Sequence, residues 1–275
     1  MRPDHRTGGT SRRGAPFALV LRRTGWLLWA CIPLACRAVP PATCPATRID
    51  EEVQVAHVYD GDTVLLDGGR RLRLIGLNTP ELGREGKPDQ PLAVAARDYL
   101  RRRLRSHHGQ LRLQIDADRT DRYGRLLAHA FLNDGTSVAS DMLAQGLAVA
   151  LVVPPNTWGY ECYAAAEALA RGAGLGLWRL DRYRTRDAED LDRQERGFMI
   201  VRGRVKGIES GARYTKVDLA GPLVLRIYRS DLGYFGKTDL AALRGKRVEV
   251  RGWIKSAGDK LTVRIRHPAA MRRMD

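Results

Sequence analysis

The sequence predicts a mainly β protein with a few helices, an α+β arrangement of two small five-stranded Greek-key barrels in tandem. Three observations point there. Short segments of alternating or apolar character recur in the order strand, strand, strand, helix, strand, strand, and that order is met twice along the 275 residues. Turn residues separate the segments. The two sets are parted by 179–196 (RLDRYRTRDAEDLDRQER), which is almost devoid of apolar side chains.

In the first set, residues 53–58 and 63–66 read as strands around the turn Asp60-Gly61-Asp62, and 71–76 (RLRLIG) alternates as a half-buried strand does. Pro91 then opens a helix, with Leu92, Ala95, Ala96, Tyr99 and Leu104 at helical spacing. Strands follow at 111–115 and 125–132. A helix over about 138–145 is stopped by Gly146, and another runs from Thr157 to Arg171, ended by Gly172 and sealed by Leu177 and Trp178. This order predicts an OB-fold barrel over 39–180. Residues 181–196 are expected to form a charged, solvated linker or an exposed helix. In the second set, strands are predicted at 198–206, 213–219 and 222–228, a short helix near 238–243, and strands at 246–254 and 260–265. The second domain, 197–270, is thus expected to be OB-like too, although the two halves show no evident sequence repeat.

The formal net charge is +16, and its placement is informative. Residues 1–38 carry +6, residues 39–194 carry −1, and residues 195–275 carry +11. An excess of this size selects polyanionic partners. At the N-terminus, arginines precede a short apolar run from Trp26 to Ala35, too short to span a bilayer and flanked as in a signal peptide. Residues 1–38 are therefore expected to be a targeting segment cleaved near Ala38, making the protein periplasmic or secreted. A membrane-anchored lipoprotein is the alternative, if Cys36 is lipidated. Cleavage near Ala38 leaves Cys44 and Cys162 as the remaining cysteines, expected to pair in an oxidising compartment. No Cys or His spacing suggests zinc.

Three motifs carry the chemistry: DGDT at 60–63, RLIGLNTPE at 73–81 and RTDRYGR at 119–125. In order, spacing and strand context they resemble the thermonuclease family, the staphylococcal-nuclease-like domains. The resemblance extends through PPN at 154–156 and GLW at 176–178 and covers about residues 53–180. It implies that Asp62 and the backbone carbonyl of Thr79 bind calcium, with Asn78 at the position of a second calcium ligand. It further implies that Glu81 is the general base and that Arg73 and Arg125 bind phosphate. Asp60 matches an acidic residue beside the metal, Tyr123 matches a tyrosine beside the phosphate, and Arg122 joins them in binding substrate.

Those residue types suit the chemistry. Calcium takes oxygen ligands and leaves room for water and a phosphate oxygen. A glutamate can take a proton from the attacking water, and guanidinium groups grip phosphate in a planar fork. Two departures stand out. Asn78 replaces a carboxylate, which predicts weakened or altered ion binding, and Leu151, Val152 and Val153 stand where family members carry tyrosines against the base. The resemblance implies a sugar-nonspecific endonuclease for DNA and RNA, with no obligate protein partner; the alternative is a catalytically weak nucleic-acid-binding protein on a nuclease scaffold. In the basic second domain, Tyr214, Tyr228, Tyr234, Phe235 and Trp253 among cations suit single-stranded nucleic acid.

Overall fold

The computed structural model describes residues 43–274 apart from Arg84 and Lys237. The predicted targeting segment lies outside the described residues.

The first barrel forms from β1 (Glu51–Val58), β2 (Thr63–Leu66), β3 (Arg71–Leu74), β5 (Gln110–Gln114) and β6 (Leu126–Phe131), with β4 (Gly76–Asn78) leaving β3 as a short extension. The closed order is β1-β2-β3-β6-β5, antiparallel except for the β3–β6 pair. Alternation is the cause: Leu72 and Leu74 point inward with Leu111 and Leu113, while Arg71 and Arg73 lie on the opposite face, Arg71 exposed and Arg73 half-buried. Helix α1 (Ala93–Arg105) closes one end. Its Ala93, Ala96, Leu100 and Leu104 are buried at three- and four-residue spacing, which leaves Arg102 and Arg105 exposed and Arg101 and Arg103 half-buried.

Helix α2 (Val138–Ala144) starts at Ser137, whose hydroxyl accepts the Ser140 N–H. Strand β7 (Val149–Leu151) pairs with β4, and α3 (Tyr160–Gly172) packs on α2. The left-handed residue that ends α3 is Gly174, not the predicted Gly172, which is still helical. Cys44 and Cys162 form the expected disulfide, tying the incoming chain to α3.

The segment expected to be a solvated linker is instead folded: Tyr183 packs with Val149 and Leu177, and Ala188 and Leu191 join the core of the second barrel. Tyr183, Ala188 and Leu191, among its few apolar residues, are buried, and β8 (Thr185–Asp187) runs parallel to β9 (Gly197–Ser210). Low apolar content concealed how well those few side chains are placed. The barrel itself comprises β9, β10 (Tyr214–Leu219), β11 (Leu223–Tyr228), β12 (Arg247–Ala257) and β13 (Lys260–Arg264), with β14 (Met271–Arg273) added to β12. Its order is β9-β10-β11-β13-β12, closed by the β12–β9 pairing. β11 and β13 are its parallel pair. Numbered from its first strand, each barrel is thus wired 1-2-3-5-4. The predicted helix near 238–243 is a correction: 3₁₀ turns at Arg229–Phe235 and Ala241–Leu243 occupy that place. So short a segment cannot offset helix nucleation, and the Asp239 carboxylate instead accepts the Ala241 and Ala242 N–H groups.

Each barrel has its own apolar core. Between them, α3 faces β12. Glu167 of α3 pairs with Arg251 and also accepts the Ala150 N–H, while Arg171 forms a two-pronged pair with Glu249, 2.8 Å at each prong.

Candidate active site

The turn between β1 and β2 buries both Asp60 and Asp62. The Asp60 carboxylate accepts the Asp62 N–H at 3.0 Å, which shapes the turn. Gly61 is required there by close approach: a Cβ would lie 2.6 Å from the Thr79 methyl and 2.9 Å from Ala96 of α1. Asp62 Oδ2 accepts from the Thr79 N–H (2.9 Å) and hydroxyl (3.0 Å), and its Oδ1 accepts from the Thr63 hydroxyl at 3.1 Å. Burial, and then the nearby Asp62 and Glu81 carboxylates, push Asp60 up to about 6.

Glu81 is held by its backbone. Its N–H donates to Gln90 Oε1, and its carbonyl accepts the Gln90 N–H, closing the 81–90 loop and leaving the carboxylate exposed. Asp60, Asp62, Glu81 and Arg125 line one cleft of about 490 Å³. Arg125 is aimed from its own loop: Asp121 receives its Nε at 2.7 Å and its backbone N–H at 3.0 Å. Despite the cost of burial, hydrogen bonds from Arg125 and the Tyr123 N–H hold the Asp121 carboxyl below its ordinary range.

Arg125 also lines an adjoining groove of about 390 Å³ with Arg73, Arg122, Leu151, Val153 and Arg266. The two recesses therefore meet at one guanidinium. Arg73 is turned inward: its Nη2 lies 3.0 Å from Asp62 Oδ2 and 3.2 Å from Asn78 Oδ1, and its Nη1 donates to the Leu74 and Leu77 carbonyls. Asn78 Nδ2 donates to the Thr79 carbonyl at 3.3 Å. Asn78 and Thr79 thus sit behind the cleft rather than in its wall. Tyr123 is 65% exposed, with the Arg122 guanidinium 4.7 Å and that of Arg125 5.7 Å from its ring.

Sequence reasoning missed three participants. Asp121 stands four residues before Arg125 inside a motif already singled out, so an acid–arginine pairing was readable. Gln90 and Arg266 had no local signal, because each acts across a loop or between barrels.

The site is thus an OB barrel whose buried acids line one cleft, joined through Arg125 to an arginine-lined groove. Residues 71–180 match the family described as "Staphylococcal nuclease homologue". The chain is similar to the thermonuclease of Staphylococcus intermedius, with 34% identity over 131 residues, 46% of this chain and 76% of that protein. It is also similar to the endonuclease YncB of Bacillus subtilis, with 34% identity over 138 residues, 48% of this chain and 64% of that protein. The chain belongs to the staphylococcal nuclease family. The family match ends at residue 180, before the second barrel begins.

Proposed function

We propose that this protein is an exported, sugar-nonspecific nuclease that hydrolyses DNA and RNA using calcium, Glu81 as general base, and Arg73 and Arg125 as phosphate ligands. The observation that carries the reading is the single cleft holding Asp60, Asp62, Glu81 and Arg125. The donors suit a hard cation, being two buried carboxylates beside a third acid, with Asp60 raised by burial and then by its acidic neighbours. Among the described residues, no three His, Cys, Asp or Glu side chains form a ready-made ligand set, so water and phosphate oxygens would complete the shell. Asp62 and Asp60 would hold the ion, which when bound polarises a phosphoryl oxygen.

Glu81 would accept a proton from water as the water oxygen forms its bond to phosphorus. The bond from phosphorus to the 5′ oxygen would then break, and that oxygen would take a proton from solvent water, leaving a 3′-phosphate end and a 5′-hydroxyl. Arg125, aimed by Asp121, would stabilise the negative charge that builds on the phosphoryl oxygens. Arg73 would do the same after exchanging Asp62 and Asn78 for phosphate. Leu151, Val153 and Pro154 would offer the base an apolar wall. Export is supported by the arginine-flanked apolar segment before Ala38 and by the disulfide.

The test is cleavage of single- and double-stranded DNA and of RNA on a gel, across a calcium series and with a chelator. Calcium-dependent cleavage of all three is the expected outcome. A second reading, a nucleic-acid binder with little activity, is favoured by the amide of Asn78 facing Arg73 where a carboxylate would stand. Binding without cleavage at any calcium concentration would select it.

A further inference from the structure

We propose that the outer face of β10, β11 and β13 is a binding track for single-stranded nucleic acid, entered from the cleft across Arg266. The direction of the track rests on the nuclease reading; the binding does not.

Alternation defines the face. β10 buries Thr215, Val217 and Leu219 and leaves Tyr214, Lys216 and Asp218 half-buried on the outer side; β11 buries Leu223, Val224, Leu225 and Ile227 and leaves Arg226 and Tyr228 half-buried on that side. Tyr214 is directly opposite Tyr228, and Arg226 is level with Arg264 on β13. The two rings are 5.5 Å apart. The Arg226 guanidinium lies 5.2 Å from the Tyr214 ring, and that of Arg264 lies 4.6 Å from Tyr228. Four planar groups, two aromatic and two cationic, are thus arrayed on neighbouring strands. Arg226 Nε is buried with no hydrogen-bond partner among the described residues, so ring packing rather than an acid holds that side chain.

The array is continuous with the cleft. Asp231, buried, takes Arg264 Nε at 2.8 Å and stands 3.6 Å from Arg266 Nε, so one carboxylate anchors two arginines and leaves positive charge over. Arg266 Nη2 then donates to the Pro154 carbonyl at 2.8 Å, on the rim of the groove it lines with Arg73 and Arg125. At the far side, Lys216 is neutralised by Asp218 (3.0 Å) and Glu209 (3.8 Å), which marks where the attractive surface stops.

Unpaired bases stack on rings and guanidinium planes while cations follow the phosphates, and this face of an OB barrel, its second and third strands, is suited to that use. Of the other aromatics in this barrel, Phe235 is core, Trp253 is exposed but packs on Phe198 at 5.3 Å, and Tyr234 is exposed with its ring 6.3 Å from that of His267. A duplex keeps its bases stacked inside and gains nothing from the two tyrosines.

The test is fluorescence anisotropy of a 5′-labelled 16-nucleotide oligothymidine with the full-length protein in EDTA, the oligonucleotide's integrity being checked on a gel. Stacking losses of roughly 5–150-fold per ring lead us to expect at least tenfold weaker binding for Tyr214→Ala with Tyr228→Ala. The Phe pair should stay within about twofold of wild type, since a phenyl ring keeps the stacking face. An Ala pair that binds like wild type overturns the proposal, as does a Phe pair that fails as badly as the Ala pair. Photocrosslinking a bromodeoxyuridine 16-mer to the wild type gives a reading free of folding effects. Adducts on Tyr214 or Tyr228 support the track, and adducts confined to residues before 180 overturn it. Tyrosine-dependent binding without cleavage would remove the nuclease reading and leave the track; cleavage with tyrosine-independent binding would do the reverse.

Discussion

Replacing Glu249 with Gln tests whether the two barrels are locked into one cooperative unit. Glu249 is buried on β12 and meets Arg171 through both oxygens at 2.8 Å, with Thr185 Oγ1 at 3.1 Å and Arg272 at 3.4 Å. Breaking a buried pair by removing one charge costs about 3–5 kcal/mol. Gln keeps one acceptor and Arg171 retains some contact with solvent, so the expected loss is about 2–3 kcal/mol. For a protein of this size that lowers the melting temperature by about 4–12 °C.

Acid should reproduce part of the effect. Against the cost of burial, Arg171, then Arg272 and Thr185, hold the Glu249 carboxyl at about 2, below its ordinary 4.5. A depressed carboxyl stabilises the fold fully above the unfolded value and loses that contribution as pH falls toward 2. The direct conversion of that shift is about 3 kcal/mol, and solvent screening of the arginines reduces it to about 1–2 kcal/mol. Thermal melts by circular dichroism at pH 7 and across pH 4.5–2.5 make the measurement. The gap between wild type and Glu249→Gln should be widest at pH 7 and narrow with acid. A loss below about 0.5 kcal/mol at pH 7, or a gap that does not change with pH, would refute the reasoning.

Glu81→Gln should lower kcat by roughly 10²–10⁴-fold without moving the melt, and activity within a few-fold of wild type would remove Glu81 as the base. Asn78→Asp adds a carboxylate beside Arg73 and should lower the calcium dissociation constant, read by calorimetric titration; an unchanged constant would mean that this side chain does not influence the ion. Alkylation followed by mass spectrometry should find no free thiol at Cys44 or Cys162. Replacing both with Ala should cost about 2–4 kcal/mol in urea unfolding, since the bridge closes a span of 118 residues.

The strands were readable because their signal is local: RLRLIG and YTKVDL alternate whatever lies around them. The acids and arginines of the site were readable because they fall in short motifs beside recognisable turns. Their partners were not. That Arg73 bonds Asp62 depends on the register of two neighbouring strands, and that Arg266 reaches Pro154 depends on how elements far apart in sequence come together. The 181–196 segment misled for the opposite reason, since charge dominates its composition while Tyr183, Ala188 and Leu191 decide its conformation. The pairing of Glu167 with Arg251 and of Arg171 with Glu249 shows why cutting the chain near 195 would strand buried charges on α3, and why point variants are the cleaner probe.

The link between Glu167 and Arg251 also sets an order of events during synthesis. The glutamate is made 84 residues ahead of the arginine that will neutralise it. At a translation rate of about 5–20 residues per second, the nascent chain waits roughly 4–17 s for that counterion. Through that interval the outer surface of α3 has to remain wet, because an ionised carboxylate without its partner resists leaving water. The N-terminal barrel is therefore made with one side unfinished, and strand β12, made later, is the one that seals it.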